Sequence, residues 1–197
     1  MKKITLVLVS LFVSVSAFAQ FGYGARAGMN FSTLVNNGDG IVSEWRVGFA
    51  GGVFVDYRFS DLFALELDGL YSQQGVNKFK LRDDDVDYHV RSNVDYITMP
   101  LLAKFYLMDG MHFDLGPQVS FQVREKHADN VVAKQLTSDT NKTILDGVIG
   151  VGYEFDFGLL LDLRYAMGLT YTYKEADDVR INKNRNSVLQ LTAGWRF

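Results

Sequence analysis

The sequence predicts an all-β protein, specifically an eight-stranded antiparallel up-and-down transmembrane β-barrel. Three observations support this prediction: apolar and polar residues alternate over long stretches, short and long connections alternate between the stretches, and aromatic residues gather at their ends. The stretch "LLLDLRYAMGLTYTY", residues 159–173, puts leucines and tyrosines on one face and Asp162 and Arg164 on the other. Strands of soluble proteins usually have about 5–6 residues, whereas a membrane-crossing β-strand needs about 9–11.

The alternating pattern predicts eight strands with asymmetric connections. The predicted strands cover residues 21–33, 47–59, 62–74, 94–107, 111–123, 143–157, 159–173 and 187–197. Short turns near residues 60–61, 108–110 and 157–158 alternate with the long polar segments 34–46, 75–93, 124–142 and 174–186. Outer-membrane barrels have short periplasmic turns and long external loops. The sequence therefore predicts both termini on the periplasmic side.

The beginning of the chain is typical of a secretory signal peptide. A basic segment at residues 1–3 precedes an apolar run at residues 4–15 and the small-residue site "AFA" at residues 17–19. The apolar run is shorter than the roughly 18–20 residues that a transmembrane helix needs. We therefore predict a cleaved signal peptide over residues 1–19, an outer-membrane β-barrel domain over residues 20–197, and localisation in the bacterial outer membrane.

Charge and cysteine content exclude several classes of function. The chain has 20 Lys and Arg residues against 23 Asp and Glu residues, so it lacks the basic excess that nucleic-acid binding requires. It contains no cysteine, which excludes disulfides and thiolate metal sites. In a membrane barrel the charged face of each strand points into the lumen, where charges persist as paired structural networks. The predicted lumen network comprises Arg26, Asp56, Arg58, Glu66, Asp68, Lys104, Asp114, Asp146, Glu154, Asp156, Asp162, Arg164 and Arg196.

The opposite faces of the same strands are predicted to contact lipid. The outward residues are Phe49, Val53, Val55, Tyr57, Phe63, Leu65, Leu67, Ile97, Met99, Leu101, Phe105, Phe113, Leu115, Val119, Ile149, Val151, Tyr153 and Phe155. Aromatic residues near the short turns are Tyr57, Phe59, Phe63, Phe105, Phe113, Phe155, Phe157, Trp195 and Phe197, and those near the long loops are Phe31, Phe49, Tyr71, Phe121, Tyr171 and Tyr173. Two aromatic girdles match the two membrane interfaces.

Five short segments, in order along the chain, carry a resemblance to a known family. They are "GARAGMNFSTL", "ELDGLYSQQG", "YITMPLLAKFY", "LGPQVSF" and "DLRYAMGLT", at residues 24–34, 66–75, 96–106, 115–121 and 162–170. Together they resemble the PorT-like outer-membrane β-barrel domain family. The resemblance implies a small barrel, and one namesake of the family is linked to protein secretion. The family often carries Glu where this chain has Thr98, which leaves Lys104 with a different partner. The closing strand with Trp195 and Phe197 resembles the C-terminal signal that the barrel-insertion machinery reads.

Three motifs resemble binding or catalytic sites, and for each we favour a structural interpretation. "GVIGVG" at residues 147–152 lies inside a strand with no helix after it, so it thins the barrel wall rather than binding a nucleotide. "RDDDVD" at residues 82–87 offers carboxylates but lacks calcium-loop spacing, and cation binding there stays open. His112, Asp114 and Ser120 share an inward face, but Ser120 lies about 20 Å from Asp114 in an extended strand, too far for a catalytic triad. No catalytic, cofactor-binding or metal-binding residue is predicted.

Three functions remain open from the sequence. The first is a structural or surface-interaction barrel, and the second is a narrow transport pore or an accessory component of a secretion system. The third is a membrane-embedded lipid-modifying or proteolytic enzyme. Eight strands leave an interior that side chains fill, and Tyr96, Tyr106 and Gln118 are predicted to plug it. We therefore expect the first role, with no enzymatic activity and no cofactor. The expected partners are outer-membrane lipid and lipopolysaccharide, the barrel-insertion machinery and an unidentified surface or secretion partner.

Overall fold

A computed structural model describes residues 20–36, 42–43, 45–83, 86–127, 142–170 and 184–197. These residues form eight long antiparallel strands and one strand of two residues. The strands are β1 (Phe21–Asn36), β2 (Val42–Ser43), β3 (Arg46–Ser60), β4 (Phe63–Asp83), β5 (Val86–Met108), β6 (Met111–His127), β7 (Thr143–Glu154), β8 (Leu159–Gly168) and β9 (Asn184–Arg196). In the described part of the chain, no helix is long and apolar enough to span a membrane.

The sheet closes on itself and leaves no open edge between the long strands. Each long strand pairs with the next long strand, and β9 pairs with β1 from Gly24↔Arg196 to Asn36↔Asn184. Within the described residues, β2 pairs with β4. Closure satisfies the backbone hydrogen bonds that hydrocarbon could not satisfy. The predicted eight-stranded antiparallel barrel is confirmed.

Several strand ends differ from the prediction. β4 and β5 extend beyond residues 74 and 94 because they continue to pair with each other as far as Asp83↔Val86. β7 ends at Glu154 rather than at residue 157, because the chain turns at Gly158, whose φ of 95° lies in the left-handed region that glycine adopts readily. Three predicted features lie partly or wholly outside the described residues. They are the signal peptide, residues 171–173 at the end of the seventh predicted strand, and Asp84 and Asp85 of "RDDDVD".

Burial alternates along the strands and places apolar side chains outside. In β8, Leu161 and Leu163 are exposed on the outer surface, whereas Asp162 and Arg164 between and beyond them are buried. Of the predicted lipid-facing residues, Phe49, Val53, Leu115 and Ile149 are exposed. This arrangement suits a protein whose outer surface is solvated by lipid.

Aromatic side chains form a belt at the short-turn end of the barrel. Ring centroids lie 4.7 Å apart for Tyr57 and Phe59, and 5.5 Å apart for Phe59 and Phe63. The contacts continue through Phe63–Phe105, Tyr153–Phe155, Phe155–Phe157, Phe157–Trp195 and Tyr23–Phe197. Aromatic rings of this kind anchor a barrel at the membrane interface. Of the predicted long-loop girdle, Tyr171 and Tyr173 lie outside the described side chains.

Candidate functional site: the charged lumen

Arg164 lies at the centre of the lumen and contacts three acids from two other strands, β4 and β6. Its guanidinium nitrogens lie 2.6 Å from Asp68 Oδ2, 2.6 Å from Glu66 Oε1 and 3.0 Å from Asp114 Oδ2. β8 directs this side chain inward, opposite Gly150 of β7. A Cβ at Gly150 would lie 2.8 Å from Arg164 Cγ, so glycine leaves the space that the arginine occupies.

Glu66 accepts hydrogen bonds from three cations that belong to three other strands. The donors are Arg26 of β1 at 2.7 Å, Lys104 of β5 at 2.9 Å and Arg164 of β8 at 2.6 Å. Arg26 also lies 3.5 Å from Asp68 and 3.4 Å from Asp162. Glu66 thus connects four strands across the interior and supplies the partner that Lys104 needs.

His112, the second residue of β6, lies beside these residues. Its Nδ1 lies 2.9 Å from Asp114 Oδ1, and its Nε2 lies 3.7 Å from Asp162 Oδ1. A Cβ at Gly152 would lie 2.4 Å from His112 Cε1 and 2.6 Å from Asp162 Oδ1, so glycine is required at this close approach. The eight residues Arg26, Glu66, Asp68, Lys104, His112, Asp114, Asp162 and Arg164, all buried, are called the central cluster below.

A second group of charges lies nearer the short turns and is called the short-turn cluster: Asp56, Arg58, Glu154 and Arg196. Arg58 and Arg196 lie 3.0 and 2.7 Å from Glu154, and Arg196 also bonds Asp56. Arg58 stacks 4.3 Å above the ring of Tyr106, whose hydroxyl donates to Glu154 at 3.0 Å. The side chains of Arg58, Arg196 and Glu154 keep 35%, 20% and 14% of their exposure. They form the floor of an open vestibule of about 720 Å³ bordered by the short turns.

The half of the lumen toward the long loops is mostly uncharged. Asn30 bonds Ser72 at 2.8 Å and Gln190 at 3.0 Å. Asp146 accepts hydrogen bonds from Gln118 and Ser120, each at 2.9 Å. A cavity of about 10 Å³ beside Arg164 is the size of about one water molecule. Hydrogen-bonded polar side chains therefore lie in the lumen between the central cluster and the long loops.

The structure places most of the predicted lumen charges in two clusters. Asp146 lies apart from both, and Asp156 lies outside the lumen. Arg26, Glu66, Asp68, Lys104, Asp114, Asp162 and Arg164 belong to the central cluster, Asp56, Arg58, Glu154 and Arg196 to the short-turn cluster, and Asp146 lies apart. Asp156 differs from the prediction: it is exposed in the turn that follows Glu154, because β7 ends before it. Trp195 and Phe197 lie on the outer surface.

His112 and Tyr106 belong to the charge networks of the lumen although neither was predicted to do so. The signal that was available is the inward parity that His112 shares with Asp114, two residues along β6. Ser120 bonds Asp146 rather than His112, so the structure brings no triad together. Tyr106 packs against His112 with ring centroids 5.4 Å apart.

Among the described residues, one group has the composition of a metal site. Ligand atoms of His112, Asp114 and Asp162 lie within 4.8 Å of one another. However, Asp114 Oδ1 already contacts the histidine, and its Oδ2 bonds Arg164. Asp162 Oδ1 accepts a hydrogen bond from Arg164 at 3.5 Å. Within this group, His112 Nε2 and Asp162 Oδ2 remain without hydrogen-bond partners, whereas zinc sites take three or four protein ligands. The donor set does not fit a metal centre.

Comparison with known families identifies the class of this barrel. The sequence profile of the family described as outer membrane protein beta-barrel domain matches residues 18–174. The chain belongs to this family. A comparison with curated proteins found no match.

Solved structures of outer-membrane barrels share the fold of this family member. Neisserial surface protein A is 14% identical with a TM-score of 0.52, over 90% of this chain and 97% of that chain. OprG from Pseudomonas aeruginosa is 15% identical with a TM-score of 0.50, over 89% and 95%. Ail, the attachment invasion locus protein of Yersinia pestis, in complex with the heparin analogue sucrose octasulfate, is 14% identical with a TM-score of 0.50, over 90% and 99%. At these identities the likeness shows the fold of an outer-membrane barrel.

Proposed function

We propose that this protein is a structural or surface-interaction barrel whose lumen is closed and whose long loops contact molecules outside the cell. The observation that carries the proposal is the central cluster, in which paired charges from five strands fill the interior and are buried. An eight-stranded barrel has an interior just wide enough for its own side chains. A solute would have to separate these pairs in order to pass.

The fold is compatible with a role in surface binding. Ail of Yersinia pestis, which shares the fold, is an attachment invasion locus protein whose structure contains a heparin analogue. For this chain we infer that the loops at the end opposite the short turns make such contacts, with a partner that is unidentified. We expect no enzymatic activity, since the inward residues pair with one another.

The proposal includes the route to the membrane. We infer that residues 1–19 are a signal peptide that is cleaved after export, and that Trp195 and Phe197 are read by the barrel-insertion machinery. The exposed apolar side chains of the outer surface then contact outer-membrane lipid and lipopolysaccharide. Within the barrel family, we infer that the chain belongs with the PorT-like proteins on the segments that resemble them.

The vestibule favours a second candidate function, an accessory role in a secretion system or a narrow pore. Its volume of about 720 Å³ opens at the short-turn end, where Asp61, Asp109 and Asp156 are exposed. A periplasmic segment of another protein has room to enter there. The short-turn cluster closes the floor of this space, so passage beyond it would require the pairs of Glu154 to open.

Conductance separates the two candidates. In planar bilayers we expect the wild-type protein to produce no more conductance steps than detergent added without protein. We expect Arg164→Ala to produce small steps. Discrete wild-type steps would contradict a closed lumen and favour the pore. Crosslinking through cysteines at Asn130 and at Asp109, in intact cells, then tests whether partners bind at the loop end or at the short-turn end.

A further inference from the structure

Each of the three short turns places an aspartate beside a large apolar side chain at the mouth of the vestibule. All six side chains are exposed, and all six border the vestibule. These rim pairs are Asp61 and Leu62 after β3, Met108 and Asp109 where β5 ends, and Asp156 and Phe157 after β7. The mouth therefore presents an acidic group next to an apolar group at three positions around its circumference.

Backbone hydrogen bonds hold all three turns in place. In each turn a carbonyl oxygen accepts a hydrogen bond from the backbone N–H of a residue at the floor of the vestibule. The bonds run to Leu62 from Tyr106 at 2.9 Å, to Gly110 from Glu154 at 2.7 Å and to Gly158 from Arg196 at 2.9 Å. A preorganised rim loses little conformational freedom when a ligand binds.

The floor of the vestibule is neutral, so the charge of the vestibule comes from its rim. Arg58 and Arg196 are paired with Glu154 and Asp56. In the part of the chain that the structure describes, the three rim aspartates form no ion pair. The vestibule thus carries three uncompensated negative charges. A cleft lined by charges of one sign concentrates ligands of the opposite sign.

The spacing of the rim aspartates does not suit a single metal ion. Among the described residues, the ligand atoms close enough to share an ion belong to His112, Asp114 and Asp162 of the central cluster. Successive short turns are two strands apart in the sheet, which corresponds to a separation of roughly 10 Å. The three carboxylates therefore match several positive groups that are spaced along one ligand.

We propose that the vestibule binds an extended basic segment of a periplasmic protein, whose lysine or arginine side chains meet the three rim aspartates while its apolar side chains meet Leu62, Met108 and Phe157. The volume of about 720 Å³ lies within the range of ligand sites, about 300–1,000 Å³. A polyamine has the positive charges but lacks side chains for the apolar half of the rim. The inference rests on the proposed orientation, which places the short turns in the periplasm, and it names the chemistry of the segment that the second candidate function requires.

Binding of a labelled hexapeptide tests the acidic half of the rim. Lysine and leucine alternate in this peptide, which carries a neutral fluorophore, and fluorescence anisotropy gives its Kd for the folded barrel in nonionic detergent. An exposed ion pair contributes a factor of about two, so three pairs contribute about tenfold. The variant with Asp61→Asn, Asp109→Asn and Asp156→Asn should therefore bind the peptide about tenfold more weakly, and high salt should weaken wild-type binding.

A matched control changes the same number of charges in the long polar segments, through Asp129→Asn, Asp139→Asn and Asp178→Asn. This variant should keep the wild-type Kd within about twofold. Equal losses in the two triple variants would overturn the proposal, and so would wild-type binding no tighter than the binding to detergent micelles alone. Heat-modifiable gel mobility shows that each variant is folded, and the salt dependence of the wild type tests the charges without any variant.

The apolar half of the rim has its own test. Leu62→Ser combined with Met108→Ser should weaken binding of the lysine–leucine peptide but not of a peptide that alternates lysine and glycine. Equal weakening for both peptides would overturn the apolar contacts, and displacement by spermidine at the peptide's own concentration would assign the site to a polyamine instead. Because binding in detergent does not depend on orientation, a failure here is distinct from a failure of the closed lumen, which conductance tests, or of the orientation, which thiol labelling tests.

Discussion

Arg164 of β8 and Glu66 of β4 are separated by 98 positions in the chain, yet their charged groups lie 2.6 Å apart inside the barrel. Glu66 also binds Arg26 and Lys104, so each of the three cations shares its acid with the others. The removal of one cation therefore disturbs several strands at once. This sharing makes the lumen network sensitive to single substitutions.

Arg164→Ala should strongly destabilise the barrel. It removes the hydrogen bonds that Asp68 and Asp114 accept from Arg164, and the loss of one partner from a buried pair costs about 3–5 kcal/mol. The matched control is Arg124→Ala, an exposed residue of β6, which should change the unfolding free energy by less than about 0.5 kcal/mol. Urea unfolding in lipid vesicles gives both values. Equal losses would show that the central cluster does not stabilise the fold.

Gly152→Ala and Gly69→Ala should have opposite consequences although the chemical change is the same. A Cβ at Gly152 would lie 2.4 Å from His112, whereas a Cβ at Gly69 meets no atom within 4 Å. Overpacking of an interior costs about 1–3 kcal/mol. We expect a lower urea midpoint for Gly152→Ala, and an unchanged or higher midpoint for Gly69→Ala. A tolerated alanine at Gly152 would mean that His112 can move aside.

Leu191→Arg should impair folding into vesicles more than Leu62→Arg. Leu191 is 51% exposed in the interior of β9, whereas Leu62 lies in the turn between β3 and β4. An arginine on the lipid face costs about 2–4 kcal/mol at the bilayer midplane and about 0–1 kcal/mol near the interface. Heat-modifiable gel mobility after refolding with vesicles measures the folded fraction. Equal yields from the two variants would contradict the membrane position of β9.

The predicted orientation of the barrel rests on the lengths of its connections. A cysteine at Asp109, in the short turn between β5 and β6, should not react with an impermeant thiol reagent on intact cells. Cysteines at Asp84, Asn130 or Asp178, in the long segments, should react. All four should react after lysis, which serves as the control. Labelling of intact cells at Asp109 alone would reverse the proposed orientation.

Phe197→Ser should reduce assembly in cells but not the stability of the finished barrel. Phe197 is 70% exposed, and its ring contacts Tyr23 at 5.9 Å. Its loss removes little packing but alters the segment that the insertion machinery is proposed to read. Membrane-inserted protein in cells and refolding yield in vesicles are the two measurements. A parallel loss in both would assign Phe197 a structural role instead.

Strand faces could be predicted from the sequence because they depend on parity alone. The period of two in residues 159–173 directs Asp162 and Arg164 inward whatever their partners are. The ends of the strands could not be predicted as well. Asp156 continues the alternation in sequence, but the positive φ of Gly158 belongs to a turn that ends β7 at Glu154.

The partners within the lumen could not be predicted, because they depend on the stagger of the strands in the closed barrel. Lys104 and Asp114 lie opposite each other in the β5–β6 ladder. However, Lys104 donates its hydrogen bond to Glu66 of β4. His112 of β6 lies 3.7 Å from Asp162 of β8, a strand two positions away in the sheet. Parity predicts which residues enter the lumen, and only the closed geometry selects their contacts.

The pairing of β9 with β1 has a consequence for the order of assembly. Glu66 lies on β4, and its three cations lie on β1, β5 and β8, so no single hairpin contains its full set of partners. Hairpins that enter the bilayer one after another would hold half-neutralised acids on their way in, and these acids keep their water until the ends of the sheet meet. Expulsion of that water and joining of the first and last strands are therefore a single late step, whose rate depends on the most distant contacts in the chain.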